Sequence, residues 1–367
     1  MAGIYLHVPF CHAKCAYCDF YSVARTERVA DFADSVINEY KWRKGEIANE
    51  PVRTLYFGGG TPSILPTETF HRLAGTFFSD SIEEFTIEVN PEDVSADSAQ
   101  SWRLSGVNRI SIGVQSLSDS ELKEINRRHS AETALKAIRT IQQCGIDNIS
   151  ADLIYGLPGQ TTESWRNSVQ GLLKTGITHL SAYCLSYEPG TLLSRRLERG
   201  DITETPEETI AEMYTILCKE ASANGFEHYE ISNFALPGYR SRHNSSYWRN
   251  VPYLGLGPGA HSLTAEGMRR YNPSDLKTYI LNNGLTTKTD SESETDRIND
   301  RIMTGLRTCE GLDLSEIPDA HTEILATAQT WIRTGHLVND GSRLIIPESS
   351  WLLSDAIIRD LFLDNMQ

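Results

Sequence analysis

The sequence lacks any apolar run approaching the roughly 18 to 20 residues that a helical membrane span requires, so an integral helical membrane protein is excluded as its reading. Positive charge is also scarce. Against 49 aspartates and glutamates stand 34 lysines and arginines, a net charge of −15, and polyanions such as nucleic acid or anionic lipid carry the same sign. Nucleic acid is therefore not an expected partner. The opening residues, MAGIYLHVPFC, have no basic leader, long apolar region or small-residue cleavage site, which predicts a cytoplasmic protein. In that reducing compartment the seven cysteines are not expected to form structural disulfides. No internal repeat and no low-complexity block is present.

What the sequence does have is length and alternation. With 367 residues, 40% of them hydrophobic, there is material for one large domain plus an appendage. Strand patterns over 4–10, 54–57, 84–90, 109–115, 148–155 and 179–186, with 228–232 as a seventh, alternate with helical patterns. The helical patterns run over 29–44, 68–77, 96–104, 131–144, 162–174 and 206–224. Repeated βα units predict an α/β fold with a parallel sheet curled into a partial (βα)6-type barrel; an open doubly wound sheet is the alternative. The expected core spans 1–235. A Gly- and aromatic-rich extension, 236–290, follows, and a polar acidic stretch at its end, TKTDSESETDRIND, is read as a linker or exposed connection. The remainder, 291–367, is expected to be a small helical, winged-helix-like domain with a hairpin at Asn339-Asp340-Gly341. Several strands end in residues capable of chemistry, and the carboxyl ends of parallel strands are where sites form.

Three of the cysteines are crowded into eight residues. Cys11, Cys15 and Cys18 form C-x3-C-x2-C directly after the first strand, so three thiolates can converge on one inorganic centre. Three cysteines leave one iron of a [4Fe–4S] cluster open to an outside chelate; zinc, with His12 or His7 as a fourth ligand, is the competing reading. Cys144, Cys184, Cys218 and Cys309 are read as small buried hydrophobes.

The cysteine loop, with an aromatic residue before its last cysteine, resembles that of the radical S-adenosylmethionine (radical SAM) enzymes. There the open iron holds SAM by its amino and carboxylate groups, and an electron from the cluster breaks the sulfonium bond. The ordered segments YLHVPFCHAKCAYCDF, FGGGTPSIL, EVNPE, RISIGVQS and DLIYGLPGQT are similar to those of the oxygen-independent coproporphyrinogen III oxidases and their relatives. That resemblance implies a first SAM near Tyr5, Gly59 and Glu88. It implies a second SAM met by Tyr17, Gly60, Thr61, Gln115, Arg127 and Asp152. No catalytic residue is assigned beyond these.

Two departures narrow the subtype. The oxidases carry a further cysteine two positions after the cluster motif, where this chain has Phe20, and a longer N-terminal segment. The chain also has HNSSYW at 243–248, and this HNxxYW pattern resembles that of the haem chaperones of the same superfamily. The resemblance implies His243 as a haem-iron ligand and Tyr247 and Trp248 as flat faces for the macrocycle. Arg240, Arg242 and Arg249 are then candidates to pair with the propionates. The expected function is a haem chaperone carrying a [4Fe–4S] cluster, SAM and haem; the alternative is the oxidase. Expected partners are haem and a haem-acceptor protein, for which respiratory-chain proteins are one class, with membrane contact only through that partner; a homodimer is compatible. The glycines of YLGLGPGAHS are undecided between approach to a SAM adenine and simple turns.

Overall fold

The computed structural model of the chain describes residues 1–24, 26–47 and 50–364. Six parallel strands follow one another: β1 (Ala2–Val8), β2 (Val52–Gly59), β3 (Glu84–Val89), β4 (Arg109–Gln115), β5 (Asn148–Tyr155) and β6 (His179–Cys184). Helices α1 (Val29–Arg43), α2 (Thr67–Phe77), α3 (Ala96–Leu104), α4 (Asp119–Glu124), α5 (Ala131–Gln143) and α6 (Thr162–Leu173) make the crossovers. Strand order equals chain order. That is the winding of a partial barrel, because a doubly wound sheet reverses direction at a switch point.

The first strand ends two residues earlier than its apolar pattern suggests. Pro9 has no N–H to give the ladder, and its carbonyl instead accepts from Val23 N at 2.7 Å.

Strand alternation divides the barrel into two surfaces. Phe85, Ile87, Ile110, Ile112, Ile149 and Leu153 are buried in the main hydrophobic core. The opposite face of the same strands carries Thr86, Glu88, Arg109, Ser111, Ser150 and Asp152, so the lumen is polar. Phe57 is fully buried, with edge contacts to Phe70, Phe77 and Phe85 at centroid separations of 5.5, 6.2 and 5.1 Å. Phe57→Ala is expected to cost about 3–5 kcal/mol through lost burial and the cavity left behind. A denaturant midpoint that moves by less than 1 kcal/mol equivalent would contradict this packing.

After α7 (Leu192–Glu198) and α8 (Glu207–Ala223), the chain forms β7 (Glu227–Glu230) and β8 (Asn233–Ala235). The latter is antiparallel to β6. The short α9 (Arg242–Trp248) then leads to β9 (Tyr253–Leu256), parallel to β1, and to β10 (His261–Leu263) and β11 (Arg269–Tyr271). Helix α10 (Leu276–Leu281) and β12 (Lys288–Thr289) follow. Residues 236–290 thus contribute strands to the barrel's own 12-stranded sheet. The acidic stretch expected to be a connection instead starts helix α11 (Glu294–Leu306), with Ser293 and Asp296 forming a capping box. Ser-x-x-Asp before an apolar stripe is itself a helix-start signal.

The C-terminal part adds β13 (Leu312–Asp313), α12 (His321–Arg333), β14 (Val338–Asn339), β15 (Arg343–Ile345) and α13 (Ser354–Leu361). Its three strands form a small sheet, with the Asn339-Asp340-Gly341 turn between β14 and β15. The expected C-terminal unit runs to 367, and its last three residues lie outside the described ones. Among the described residues, no helix is long and apolar enough to cross a membrane.

Candidate functional site

The carboxyl ends of β1–β6 open into a cavity of about 420 Å³. Cys11, Cys15, Tyr17, Cys18, Gly59, Gly60, Thr61, Glu88, Gln115, Arg127 and Asp152 all line it. Residues scattered over 140 positions of sequence meet here because each follows, or ends, a parallel strand.

The cysteine loop is tied down by its neighbours. Ala16 N donates to Ile125 O at 3.1 Å, Ala16 O accepts from Leu193 N at 2.9 Å, and Asn126 Nδ2 donates to Lys14 O at 3.1 Å. Asn126 has φ of 59°, a left-handed conformation that asparagine tolerates, and the next residue, Arg127, turns into the cavity. Its guanidinium donates to Cys15 Sγ at 3.3 Å, to Asn90 Oδ1 at 2.8 Å and to Gly113 O at 2.6 Å. Thr61 Oγ1 donates to Cys11 Sγ at 3.4 Å. Burial pushes the Cys18 thiol up to about 11 and raises that of Cys11; a cationic centre among these sulfurs would favour their thiolate forms.

Neither histidine completes a zinc set. His7 is buried, with Nε2 2.8 Å from Tyr21 O and Nδ1 3.2 Å from Tyr5 Oη. His12 is turned toward Asp93, at 3.9 Å. A donor set of three sulfurs with a guanidinium on one of them fits a cluster that leaves one iron for an outside ligand.

The two acids sit deeper. Glu88 accepts from Tyr56 Oη at 2.8 Å and from Gly59 N at 3.1 Å. Burial, and to a lesser degree the nearby Asp152, lifts its pKa to about 7. Asp152 accepts from Ser111 Oγ at 3.1 and 3.2 Å, and burial lifts it to about 6. Gln115 adopts φ of 65° at a bulge between Gly113 and Gln115. A non-glycine residue held there costs of order 1–3 kcal/mol, and such strain gathers at functional sites.

The glycines have a reason independent of any ligand. Gly59 has φ of 102°, and a Cβ there would lie 2.4 Å from His7 Nδ1. A Cβ on Gly60 would lie 2.7 Å from the carbonyls of Val8 and Phe10. Both let β2 close against β1. Two of the YLGLGPGAHS glycines, Gly255 and Gly257, also pack against backbone: a Cβ on Gly257 would meet His7 O at 2.5 Å, and none of this segment lines the cavity.

Two expected site residues lie elsewhere. Tyr5 is inside the barrel below the cavity, its ring 6.0 Å from Tyr56 and 6.4 Å from His243. His243 is fully buried at the amino-terminal end of the strands. Its Nδ1 lies 2.8 Å from Thr54 Oγ1, and its Nε2 lies 2.8 Å from Tyr247 Oη. The Glu84 carboxylate receives the backbone N–H of Arg242 and His243, both at 2.9 Å, which fastens α9 beneath the barrel. In this conformation neither imidazole nitrogen is free for iron. The three arginines near this motif are likewise engaged: Arg240 pairs with Glu227 at 3.0 Å, Arg249 with Glu310 at 2.6 Å and Arg242 with Glu83. The helix is too short for its apolar period to show in sequence, and the partners are 158 or more residues away in the case of Glu84.

Sequence reasoning missed Asn90, which joins Thr61 and Arg127: its Nδ2 donates to Thr61 Oγ1 at 3.2 Å. It also missed Ser111 and the buried Arg109. Period-two alternation from Gly113 would have put both on the lumen face. Cys184, expected as a buried hydrophobe, is exposed and lines the cavity; Cys144, Cys218 and Cys309 are only partly buried.

Comparison with known proteins agrees with this geometry. Residues 5–171 match the family model described as the radical SAM superfamily. A "Heme chaperone HemW" from Lactococcus lactis is 33% identical over 99% of this chain and 97% of that protein. One of the same name from Bacillus subtilis is 34% identical over 85% of each. Among solved structures, coproporphyrinogen III oxidase (HemN) from Escherichia coli is similar over 98% of this chain and 90% of that one. Its TM-score is 0.84 at 22% identity, a likeness of fold. With a relative one-third identical along nearly all of both chains, this chain belongs to the radical SAM superfamily, in the family of the HemW proteins.

Proposed function

We propose that this protein is a haem chaperone that binds haem and passes it to acceptor apo-proteins, while carrying a [4Fe–4S] cluster and binding SAM. The observation that carries the reading is the nearly full-length similarity to proteins named heme chaperones. Phe20 supports it: this side chain, 62% exposed, stands in the cavity wall at the place where the resemblance puts a cysteine in the oxidases. It presents an apolar ring there and no thiol.

Cys11, Cys15 and Cys18 would hold the cluster, which when bound supplies one-electron chemistry at an iron with an open position. Around it, this chain's own groups set the charge. Glu88 offers a carboxylate for a ligand's ammonium group, and Arg127 neutralises the Cys15 sulfur. For a second SAM, Tyr17, Gly60, Thr61, Gln115, Arg127 and Asp152 share the cavity wall. Tyr5 lies below the cavity, its hydroxyl 3.2 Å from His7 and its ring beside Tyr56, the Glu88 donor, and would influence the first SAM only through Tyr56 and Glu88.

Haem ligation by His243 requires α9 to leave the base of the barrel, breaking the contacts to Thr54, Tyr247 and Glu84. The cost of those buried bonds, about 1–3 kcal/mol for each group left unpaired, couples binding to a conformational change. An anaerobic haem titration of cluster-loaded protein tests this. Saturable binding with a defined Soret band is expected for the wild type, weakened at least about tenfold, or 1.4 kcal/mol, in His243→Ala. Equal affinity and an unchanged band in the variant would leave His243 as a packing residue only. Conversion of coproporphyrinogen III to protoporphyrinogen IX by the same preparation with SAM and a reductant would replace the chaperone by the oxidase.

A further inference from the structure

Away from the cavity, where β7, α8 and the C-terminal part meet, three potential metal ligands converge. Cys218 on α8, His228 on β7 and Glu348 on the turn before α13 bring one ligand atom each to within 4.8 Å of one another. His228 Nδ1 is 2.9 Å from Glu348 Oε1 and 3.9 Å from Cys218 Sγ. The imidazole is locked by stacking on Phe234, at 3.8 Å, and by the edge of Trp351, at 4.1 Å.

The other ring nitrogen fixes the proton. His228 Nε2 lies 3.2 Å from Ile231 O, and a carbonyl can only accept, so Nε2 carries the hydrogen. Nδ1 then directs a lone pair at a carboxylate oxygen, and two acceptors at that distance need a cation between them. A proton on Nδ1 would make an ion pair with Glu348 alone, whereas a metal ion would also draw in Cys218, whose Sγ lies 3.9 Å from Nδ1. The Tyr214 hydroxyl is buried against the Cys218 thiol and can donate to its sulfur, which favours the thiolate form that a metal ion takes.

We propose that Cys218, His228 and Glu348 form a binding site for a borderline-soft divalent cation, Zn2+, that pins the C-terminal part to the end of the barrel. One sulfur, one imidazole nitrogen and one carboxylate oxygen are a familiar zinc donor set. Bond lengths of about 2.0–2.3 Å place tetrahedral ligand atoms roughly 3.3–3.7 Å apart; the observed 2.9 and 3.9 Å fall on either side of that range, so the side chains must shift by a few tenths of an ångström to take the ion. Glu348 is more than half exposed, which gives the ion a path in and leaves the fourth position to water. On binding, the thiol loses its proton to solvent and the sulfur coordinates as thiolate. The site is independent of the haem reading.

The test is Zn2+ titration of cluster-loaded protein against a chromophoric chelator, with the cluster's visible absorbance followed throughout. One Zn2+ per chain is expected, with affinity reduced at least about tenfold in Cys218→Ser and in His228→Ala. Because either core variant can disturb folding, Glu348→Gln provides the surface control. Zn2+ should raise the unfolding temperature of the wild type and not that of Glu348→Gln at the same concentration. Absence of Zn2+ retention by the wild type, or equal retention by all three variants, overturns the proposal.

Discussion

Cys15→Ser is expected to abolish the iron–sulfur centre, taking bound iron from about four per chain to below one and removing the visible cluster absorbance. The expectation rests on the donor count. Cys11, Cys15 and Cys18 line one cavity; of the two nearby imidazoles, His7 is held by Tyr21 and Tyr5, and the half-exposed His12 faces Asp93 at 3.9 Å. A serine hydroxyl does not replace the soft thiolate that such a cluster takes. Cys184→Ser is the matched control, since Cys184 lines the same cavity outside the cysteine loop, and it should keep full iron. A complete cluster in Cys15→Ser would show that His12 swings in as a ligand, and the three-sulfur assignment would fall. The folded apo-protein should survive the change, because Cys15 is only partly buried; a circular-dichroism spectrum separates cluster loss from unfolding.

A second large effect is expected in SAM binding as pH changes. Glu88 has a pKa of about 7 in the folded protein, above the ordinary carboxylate value of about 4.3. A cationic ligand pairs with the ionised form, so SAM affinity rises with pH up to that value and levels off above it. Between pH 6 and pH 8 the ionised fraction grows about tenfold, and the dissociation constant for SAM should fall by about the same factor. Glu88→Gln should bind weakly at both pH values with the slope gone. A wild-type affinity that does not change between pH 6 and pH 8 would place the SAM ammonium away from Glu88.

The same shift has a consequence for stability, with its own sign. A carboxyl whose folded pKa lies above its unfolded value binds its proton more tightly when folded. Its contribution is therefore most favourable at low pH and is lost as pH rises through the interval from about 4 to 7. The lowered values of His7, His179 and His243 act in the opposite direction, losing stability as pH falls below about 6.5. Only the difference between wild type and Glu88→Gln isolates the acid. The variant should gain stability relative to the wild type as pH is raised from 5 to 8.

Much of the barrel was legible because its physics is local. Period-two strands bounded by helical stripes place β3, β4, β5 and several helices within a residue or two, and Arg109–Gln115 agrees at both ends. The cysteine triplet was legible for the same reason, since three donors within eight residues need no tertiary information to meet. Gly59, Glu88, Gln115 and Asp152 could be placed at strand ends, and parallel winding guarantees that strand ends share one face.

What the sequence alone determined, then, is the alternation, the meeting of three cysteines in one loop and a shared cavity at one end of the strands. The tertiary structure decided the rest, wherever partners distant in the chain compete for the same group. It turned His243 into a buried acceptor and donor for Thr54 and Tyr247, paired the arginines of its motif with Glu227, Glu310 and Glu83, and made Asn90 the link between Thr61 and Arg127. It also brought Glu348 to His228 across 120 residues. Local patterning fixes which face of an element is buried, but only packing fixes which groups meet there, because hydrogen bonds and ligand spacings are set by distances between elements.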